Sequence, residues 1–453
     1  MKVINKRESG WLFWGDLLIF TFSLWLTLAV RFHTWPTAGD YWEHLWPFGL
    51  LFLIWSLIFF IAGLYEKHTV SFKRHLLARI INAQILNSLL AVVFFYFIPY
   101  FGITPKVILF IYIIIFSLLI LLWRLYGQKL FGLKTREKGL VLGRGEELIQ
   151  LVKEVNANPR YGLEIVSSFD LDNFGAVDFQ ADILDQIKSR NISVVILDLH
   201  NETLKKNQAY FYNLLFSRIR FIDIDDLYED IFDRVPLSLI NYDWFLKNIS
   251  LTTDMTYDFF KRTVDCLFAC GLGLISLVLY PFIFLAIKLD DQGPIFISQE
   301  RLGKNNRLIR IIKFRTMSFN DNERTDPAAA GGKVNKITRV GAFLRQSRLD
   351  EIPQLWNVWT GDLSLIGPRP ELPALARVYE QAVPYYNVRH LITPGLSGWA
   401  QLYHENHPHH GVNTVETKNK LSYDLYYVKN RSWLLDLKII LKTVKTLLSR
   451  SGR

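Results

Sequence analysis

The chain opens with four stretches that are almost wholly apolar: Trp11 to Val30, Trp46 to Leu64, Leu76 to Phe101 and Val107 to Leu122. A helix needs about 20 residues, each rising about 1.5 Å, to cross a hydrocarbon layer ~30 Å thick, so each stretch predicts a spanning helix. Gly10-Trp11 and Trp123-Arg124 read as interfacial flanks, and Asn82, Gln84 and Asn87 as interhelix hydrogen-bonding groups. From Lys138 the pattern changes. Leu140 to Leu142, Leu163 to Phe169, Val194 to Leu199 and Phe221 to Ile224 read as short strands separated by polar helical stretches. Such a βαβ series predicts a small parallel sheet.

A fifth apolar run, Val264 to Ile287, contains Pro281. An interior proline removes an N–H and clashes with the preceding turn, which predicts a kink near Tyr280-Pro281. Lys261, Arg262 and Lys288 put basic residues at both ends, which suits a helix that enters one leaflet and returns to it, the alternative being a simple spanning helix that tolerates its proline. Trp433 to Leu447 interleaves leucines and isoleucines with Lys438, Lys442 and Lys445. It reads as an amphipathic helix, either lying on a membrane surface or facing a core. The organisation expected is a membrane α-helical bundle over residues 1–130, an α/β Rossmann-like domain over 131–250, and an α-rich, membrane-associated domain over 251–453 with a re-entrant helix at 264–287.

Composition agrees with membrane segments: of 453 residues, 50% are hydrophobic and 15% aromatic. The net charge of +10 admits nucleic acid, anionic lipid or phosphorylated ligands as partners, and the lack of any nucleic-acid motif discounts the first. Lys2, Lys6 and Arg7 precede the first run, Lys67, Lys73, Arg74 and Arg79 follow the second, and Arg124, Lys129, Lys134, Arg136 and Lys138 follow the fourth. The positive-inside rule then places the N-terminus and everything after Trp123 in the cytoplasm. Cys266 and Cys270 sit in an apolar run and read as small packing residues. The turn Gly143-Arg144-Gly145-Glu146-Glu147-Leu148 lacks the last glycine of a dinucleotide fingerprint and sets two acids where a pyrophosphate would lie. Nicotinamide cofactor binding is not expected there, leaving a structural, dimerising or regulatory module, with a homodimer among the expected partners.

The last third is dense in cations, and these bracket two adjacent carboxylates, Asp350 and Glu351, in "S-R-L-D-E-I-P-Q-L". Neighbours on a helix point about 100° apart, so this pair suits two roles rather than one shared proton. Pro353 is tolerated in a first helical turn, which makes Asp350 an expected N-cap of a helix running to about Trp359 and stopping at Thr360-Gly361. Alternatively, one carboxylate attacks phosphorus while the other helps to bind Mg²⁺. The two readings are compatible. "H-E-N-H-P-H-H", His404 to His410, is short and proline-broken and reads as a flexible loop rather than a zinc site.

From about Tyr257 to Arg450 the chain resembles the polyprenyl-phosphate hexose-1-phosphate transferases, the bacterial sugar transferase family. The resemblance rests on "F-K-R-T-V-D", "G-P-I-F-I-S-Q-E-R-L-G", "K-F-R-T-M", "L-D-E-I-P-Q-L", "G-D-L-S-L-I-G-P-R-P-E", "P-G-L-S-G-W-A-Q" and "D-L-Y-Y-V-K-N", all in register. It implies an initiating undecaprenyl-phosphate glycosylphosphotransferase of the bacterial inner membrane, with its catalytic domain on the cytoplasmic face. Asp350 would attack the β-phosphorus of a UDP-sugar and release UMP, and undecaprenyl phosphate would then accept the sugar phosphate. The implied site residues are Asp350 and Glu351 for catalysis and Mg²⁺, then Lys313, Arg315, Arg345, Arg369 and Glu371 for substrate, with Pro281 breaking the membrane helix. Tyr280 stands where the family often has serine, and Glu405 where many members carry arginine. Two rival readings are a membrane-anchored NAD-dependent dehydratase or epimerase using Tyr257-x-x-x-Lys261, and a non-enzymatic scaffold for polysaccharide assembly.

Overall fold

The structure is a computed structural model and describes residues 7–65, 73–97, 106–127, 136–158, 161–171, 179–217, 219–249, 255–318, 337–403 and 413–448. The His404–His410 loop and Glu405 lie outside the described residues. The chain divides into two compact units, residues 1–231 and 232–453.

The first unit begins with α1 (Arg7–Phe32), α2 (Ala38–Ile61), α3 (Lys73–Phe97) and α4 (Lys106–Leu122). All four are long and apolar enough to cross a membrane. Helix α2 starts well before the apolar run that announced it. Thr37 and Asp40 form a capping box that satisfies the first N–H groups, so the polar turn 38–45 is already helical. Aromatic packing joins three of the helices: Phe20, Trp55, Tyr112 and Phe116 are fully or almost fully buried, with Trp55 stacked on Phe116 at 5.0 Å. Gln84 donates to Ser117 Oγ at 3.1 Å, so it bridges α3 and α4, whereas Asn82 is exposed. Arg124 departs from its expected role as an interfacial flank. It is buried, pairs with Asp16 of α1, and donates to the Leu64 carbonyl at 2.9 Å. The Asp16 carboxylate also accepts from Tyr65 at 2.7 Å, so this buried charge pair has polar partners on several sides.

Next come β1 (Glu137–Gly143), α5 (Gly145–Ala157), β2 (Leu163–Asp170), α6 (Phe179–Ser189), β3 (Val194–Leu197), α7 (Glu202–Lys206), α8 (Gln208–Leu214), β4 (Arg220–Asp223) and α9 (Ile224–Phe232). The strands form a parallel sheet in the order β2-β1-β3-β4. Leu140 to Leu142 and Val194 to Leu197 are buried on both faces, as expected for a parallel sheet covered by helices.

The second unit starts within α9 and continues through α10 (Tyr242–Asn248) to α11 (Met255–Leu277) and α12 (Tyr280–Asp290), which meet at a bend of 60°. Pro281 therefore does not kink one continuous helix. It sits in the first turn of α12, where its missing N–H breaks no intrahelical bond. An antiparallel hairpin follows, β5 (Phe296–Leu302) paired with β6 (Leu308–Phe314). Then come α13 (Arg339–Gln346), a 3₁₀ turn at Leu349–Glu351, α14 (Gln354–Thr360), β7 (Ser364–Ile366), α15 (Pro373–Ala382), a 3₁₀ stretch at Tyr386–Leu391, β8 (Gly395–Ser397), α16 (Trp399–Tyr403), α17 (Thr414–Asn430) and α18 (Trp433–Leu448). Helix α18 faces the core through Ile439, which is fully buried, while Leu434 is 80% exposed. Lys438 and Lys442 lie over the rings of Trp399 and Tyr403, so both lysines cover aromatic surface.

Candidate active site

Three tasks fall to the first turns of α11, since its polar residues clamp the elements beneath it. Arg262 donates to the Val358 and Trp359 carbonyls at 2.5 and 2.6 Å, closing the carboxyl end of α14 where carbonyls lack partners. Asp265 accepts from Ser364 Oγ at 2.7 Å and from the Leu365 N–H at 3.3 Å, fixing β7. Lys261 and Tyr257 both bond Asp436 of α18, at 2.9 and 2.8 Å. Tyr257 and Lys261 are thus engaged with one buried carboxylate and serve as a structural brace.

Against this frame the acidic pair is set by a short turn. Arg348 takes a left-handed conformation at φ 59°, Leu349–Glu351 form one 3₁₀ turn, and Pro353 leads into α14. Asp350 therefore does not cap α14 as expected. The left-handed Arg348 turns the chain two residues earlier, and no side chain caps either short helix. The expected stop is found at Gly361, whose φ of 95° is open to glycine and strained for other residues.

The two carboxylates have opposite environments. Three cations approach Oε1 of Glu351: Arg369 at 2.8 Å, Lys313 at 3.6 Å and Arg348 at 3.7 Å. Burial works against this charge, yet Arg369, Lys313 and Arg348 outweigh it and hold Glu351 down at about 2. Asp350 is buried, and its Oδ1 has no hydrogen-bond partner among the described residues. Burial first and Glu351 second push its carboxyl above the usual range, opposed by Lys313, Arg345 and Arg348. Burial likewise pushes Lys313 below the ordinary lysine value. One acid is thus locked as an anion, and its neighbour is left exposed to chemistry by lack of partners.

The remaining expected residues divide. Arg345 donates to Thr316 Oγ1 at 2.8 Å, beside the pair. Arg315 is buried and bonds Asp291 at 2.9 Å, away from Glu351. Glu371 faces Lys420 at 3.2 Å and Arg301 and Arg389 each at 3.8 Å, which hold it at about 2 against burial. This second network fixes the Pro368-to-Glu371 loop. Arg389 donates to the Arg369 carbonyl at 3.0 Å and to Asp424 at 2.9 Å, and the Leu302 N–H donates to the Glu371 carbonyl at 2.9 Å. Backbone also meets backbone here. A side chain at Gly395 would run into Gly367, so the Gly-Pro-Arg-Pro loop can lie against β8 only with glycine at the contact.

Sequence reasoning did not assign Arg348, Arg389, Asp424 or Asp265. Arg348 was visible only as a neighbour of the acids. Asp424 and Asp265 open "D-L-Y-Y-V-K-N" and close "F-K-R-T-V-D", so the signal lay in the motifs without a partner to explain it.

A carboxylate pair supplies hard oxygen donors of the kind Mg²⁺ takes. The closest cation approaches to Glu351 all fall on Oε1, and Oδ1 of Asp350 is an orphaned buried acceptor, so the residues present fit such an ion.

The bacterial sugar transferase family matches residues 256–450, which hold every group described above. The chain is similar to the UDP-N-acetylgalactosamine-undecaprenyl-phosphate N-acetylgalactosaminephosphotransferase of Aeromonas hydrophila, at 35% identity over 57% of this chain and 59% of that protein. It is also similar to the exopolysaccharide production protein PSS of Rhizobium leguminosarum bv. phaseoli, at 37% identity over 42% of this chain and 96% of the relative. With the UDP-glucose:undecaprenyl-phosphate glucose-1-phosphate transferase of Escherichia coli (strain K12) it shares 37% identity over 41% of this chain and 39% of that protein. The chain thus spans less than two thirds of the Aeromonas and Escherichia proteins and nearly all of the Rhizobium one. A carboxylate pair sorted into a locked anion and an unpartnered neighbour, within a segment aligned to almost the whole of a relative, leads to one conclusion: this chain belongs to the bacterial sugar transferase family.

Proposed function

We propose that the chain is a phosphoglycosyl transferase that moves a hexose 1-phosphate from a UDP-sugar to undecaprenyl phosphate. The observation that carries this reading is the buried Oδ1 of Asp350, which lacks a partner beside a Glu351 gripped by Arg369, Lys313 and Arg348. In the first step an Asp350 oxygen attacks the β-phosphorus of the UDP-sugar. A P–O bond forms to the carboxylate, the bridging P–O bond breaks, and UMP leaves. In the second step a phosphate oxygen of undecaprenyl phosphate attacks the same phosphorus, the aspartyl P–O bond breaks, and Asp350 is restored. Phosphoryl transfer asks the protein mainly for positioning and charge neutralisation, which Lys313, Arg348 and Arg369 supply. Arg345, beside Thr316, lies near enough to Asp350 to favour its ionised form. Asp350 and Glu351 would hold Mg²⁺, which when bound neutralises diphosphate charge and favours release of UMP.

The bent pair α11 and α12 suits a re-entrant membrane helix. Its outer side chains, among them Leu274, Ile275, Val278 and Phe282, are each more than 60% exposed, and Arg262 and Lys288 flank it. Such a helix sets the site at headgroup level, where a soluble donor and a lipid phosphate can both reach Asp350. With the expected orientation the site faces the cytoplasm of a bacterial inner membrane. The parallel-sheet module is read as a Rossmann-like accessory domain that supports a homodimer, and the product would begin an exopolysaccharide, O-antigen or capsule chain.

The test uses full-length protein in membranes and a panel of UDP-sugars. With one UDP-sugar, UMP should appear in stoichiometric amount without acceptor and catalytically once undecaprenyl phosphate is added. Asp350→Asn should abolish both phases, and mass spectrometry should find a phosphosugar on Asp350 of the wild type. Wild-type turnover by Asp350→Asn would overturn the mechanism and favour a scaffold.

A further inference from the structure

A second cluster of polar side chains lies in the first unit, at the carboxyl ends of β3 and β4. The register pairs Leu197 with Asp223, so the residues that follow these strands emerge side by side at one edge of the parallel sheet. In open α/β sheets this is the edge where loop side chains converge on ligands. Asp198 and His200 come from the β3 loop, Asp223 ends β4, and Asp225 lies in the first turn of α9.

One ligand atom from each of His200, Asp223 and Asp225 falls within 4.8 Å of the others. Donors around a tetrahedral ion at about 2.1 Å stand about 3.4 Å apart, so the cluster needs to contract by at most about 1.4 Å to enclose one. The Asp225 side chain is 4% exposed, and neither of its carboxylate oxygens has a hydrogen bond of good geometry among the described residues. Its near polar neighbour is His200 Nε2, at 3.3 Å. A buried carboxylate with two unsatisfied oxygens is costly unless a cation meets it. Arg144 does not reach Asp225. Its Nε lies 3.6 Å from Oδ2 of Asp198, whose side chain is fully buried.

The neighbouring backbone is arranged as support. Oδ1 of Asp198 accepts from the His200 N–H at 3.1 Å, and Oδ1 of Asp223 accepts from the Asp225 N–H at 3.2 Å. Each carboxylate thereby sets the loop that presents the next donor, as outer groups do around metal ligands.

We infer that His200, Asp223 and Asp225 form a binding site for a divalent transition-metal ion of the Zn²⁺ or Mn²⁺ class, separate from the catalytic carboxylates. An imidazole beside two carboxylates favours these ions over Mg²⁺ or Ca²⁺, which prefer oxygen donors throughout. A bound ion ties the β3 loop to the start of α9 and so fixes the sheet's carboxyl edge. It also turns an edge that repels anions into one that can meet them.

The test uses full-length protein in detergent, stripped with chelator, loaded with Zn²⁺ or Mn²⁺ in the presence of excess Mg²⁺, and desalted. Wild type should retain about one Zn²⁺ or Mn²⁺ per chain, and Asp350→Asn should retain as much. His200→Gln and the near-isosteric Asp225→Asn should each retain about tenfold less. Pulsed EPR of the Mn²⁺-loaded wild type should show nitrogen modulation from one imidazole, a readout that needs no variant. Retention by wild type no greater than by Asp225→Asn, loss of the ion in Asp350→Asn, or Mn²⁺ without nitrogen coupling would each overturn the assignment.

Discussion

Replacing Glu351 by glutamine removes a charge while keeping the side chain's shape. The carboxylate lies 2.8 Å from Arg369, 3.6 Å from Lys313 and 3.7 Å from Arg348, and its side chain is 16% exposed. Burial opposes ionisation, and the three cations bring the group from 4.5 to about 2 nonetheless. At about 1.4 kcal/mol per pKa unit, that difference is about 3 kcal/mol of local stabilisation. The folded value lies below the unfolded one, so the stabilisation is fully present above pH 4.5 and fades as pH falls towards 2. Glu351→Gln should lose it at neutral pH and leave Arg369, Lys313 and Arg348 facing one another. Hydrogen exchange read by mass spectrometry on the full chain should show amides of 349–360 opening about a hundredfold more often. Melting curves of wild type and variant should differ by a constant amount above pH 4.5 and converge below it. Exchange that agrees within about threefold, or a melting difference that persists undiminished at low pH, would refute the argument that these cations act through Glu351.

Asp350→Asn should raise the melting temperature while abolishing UMP release. The folded Asp350 carboxyl is raised by burial and by Glu351, so its contribution is favourable below 3.8 and is lost as pH rises through the folded value; a neutral amide escapes that loss, and a fall in melting temperature would contradict it. Gly361→Ala should destabilise the chain by about 1 kcal/mol, through a positive φ next to Arg262, and thermal unfolding reads it directly. Asp16→Ala leaves Arg124 buried without its carboxylate and should lower stability by about 3 kcal/mol, measured by unfolding in detergent. Tyr257→Phe should keep UMP release within about threefold of wild type, since it loses only a hydrogen bond to Asp436; its loss of all activity would bring Tyr257 into the chemistry.

Much of the architecture was legible from period and length. Runs of spanning length gave the four N-terminal helices, and short apolar strands between polar helices gave the parallel sheet, because burial on one or both faces writes itself into spacing. The adjacent acids, their flanking cations and the glycine that ends α14 were also readable, since left-handed backbone selects its residue locally. What only the tertiary structure decided is which charge meets which. Arg369 and Arg315 look alike in sequence, yet one grips Glu351 and the other Asp291, because the Arg389–Asp424 network carries the first to the site. Arg124 turned inward for the same reason, drawn to Asp16 more than a hundred residues earlier. Pro281 marked a break, but whether it kinked a helix or began one depended on where the preceding turn ended. The roles of Asp350 and Glu351 were likewise separated by their surroundings. Burial and three converging cations act through space, and a one-dimensional pattern does not record which side chains share that space.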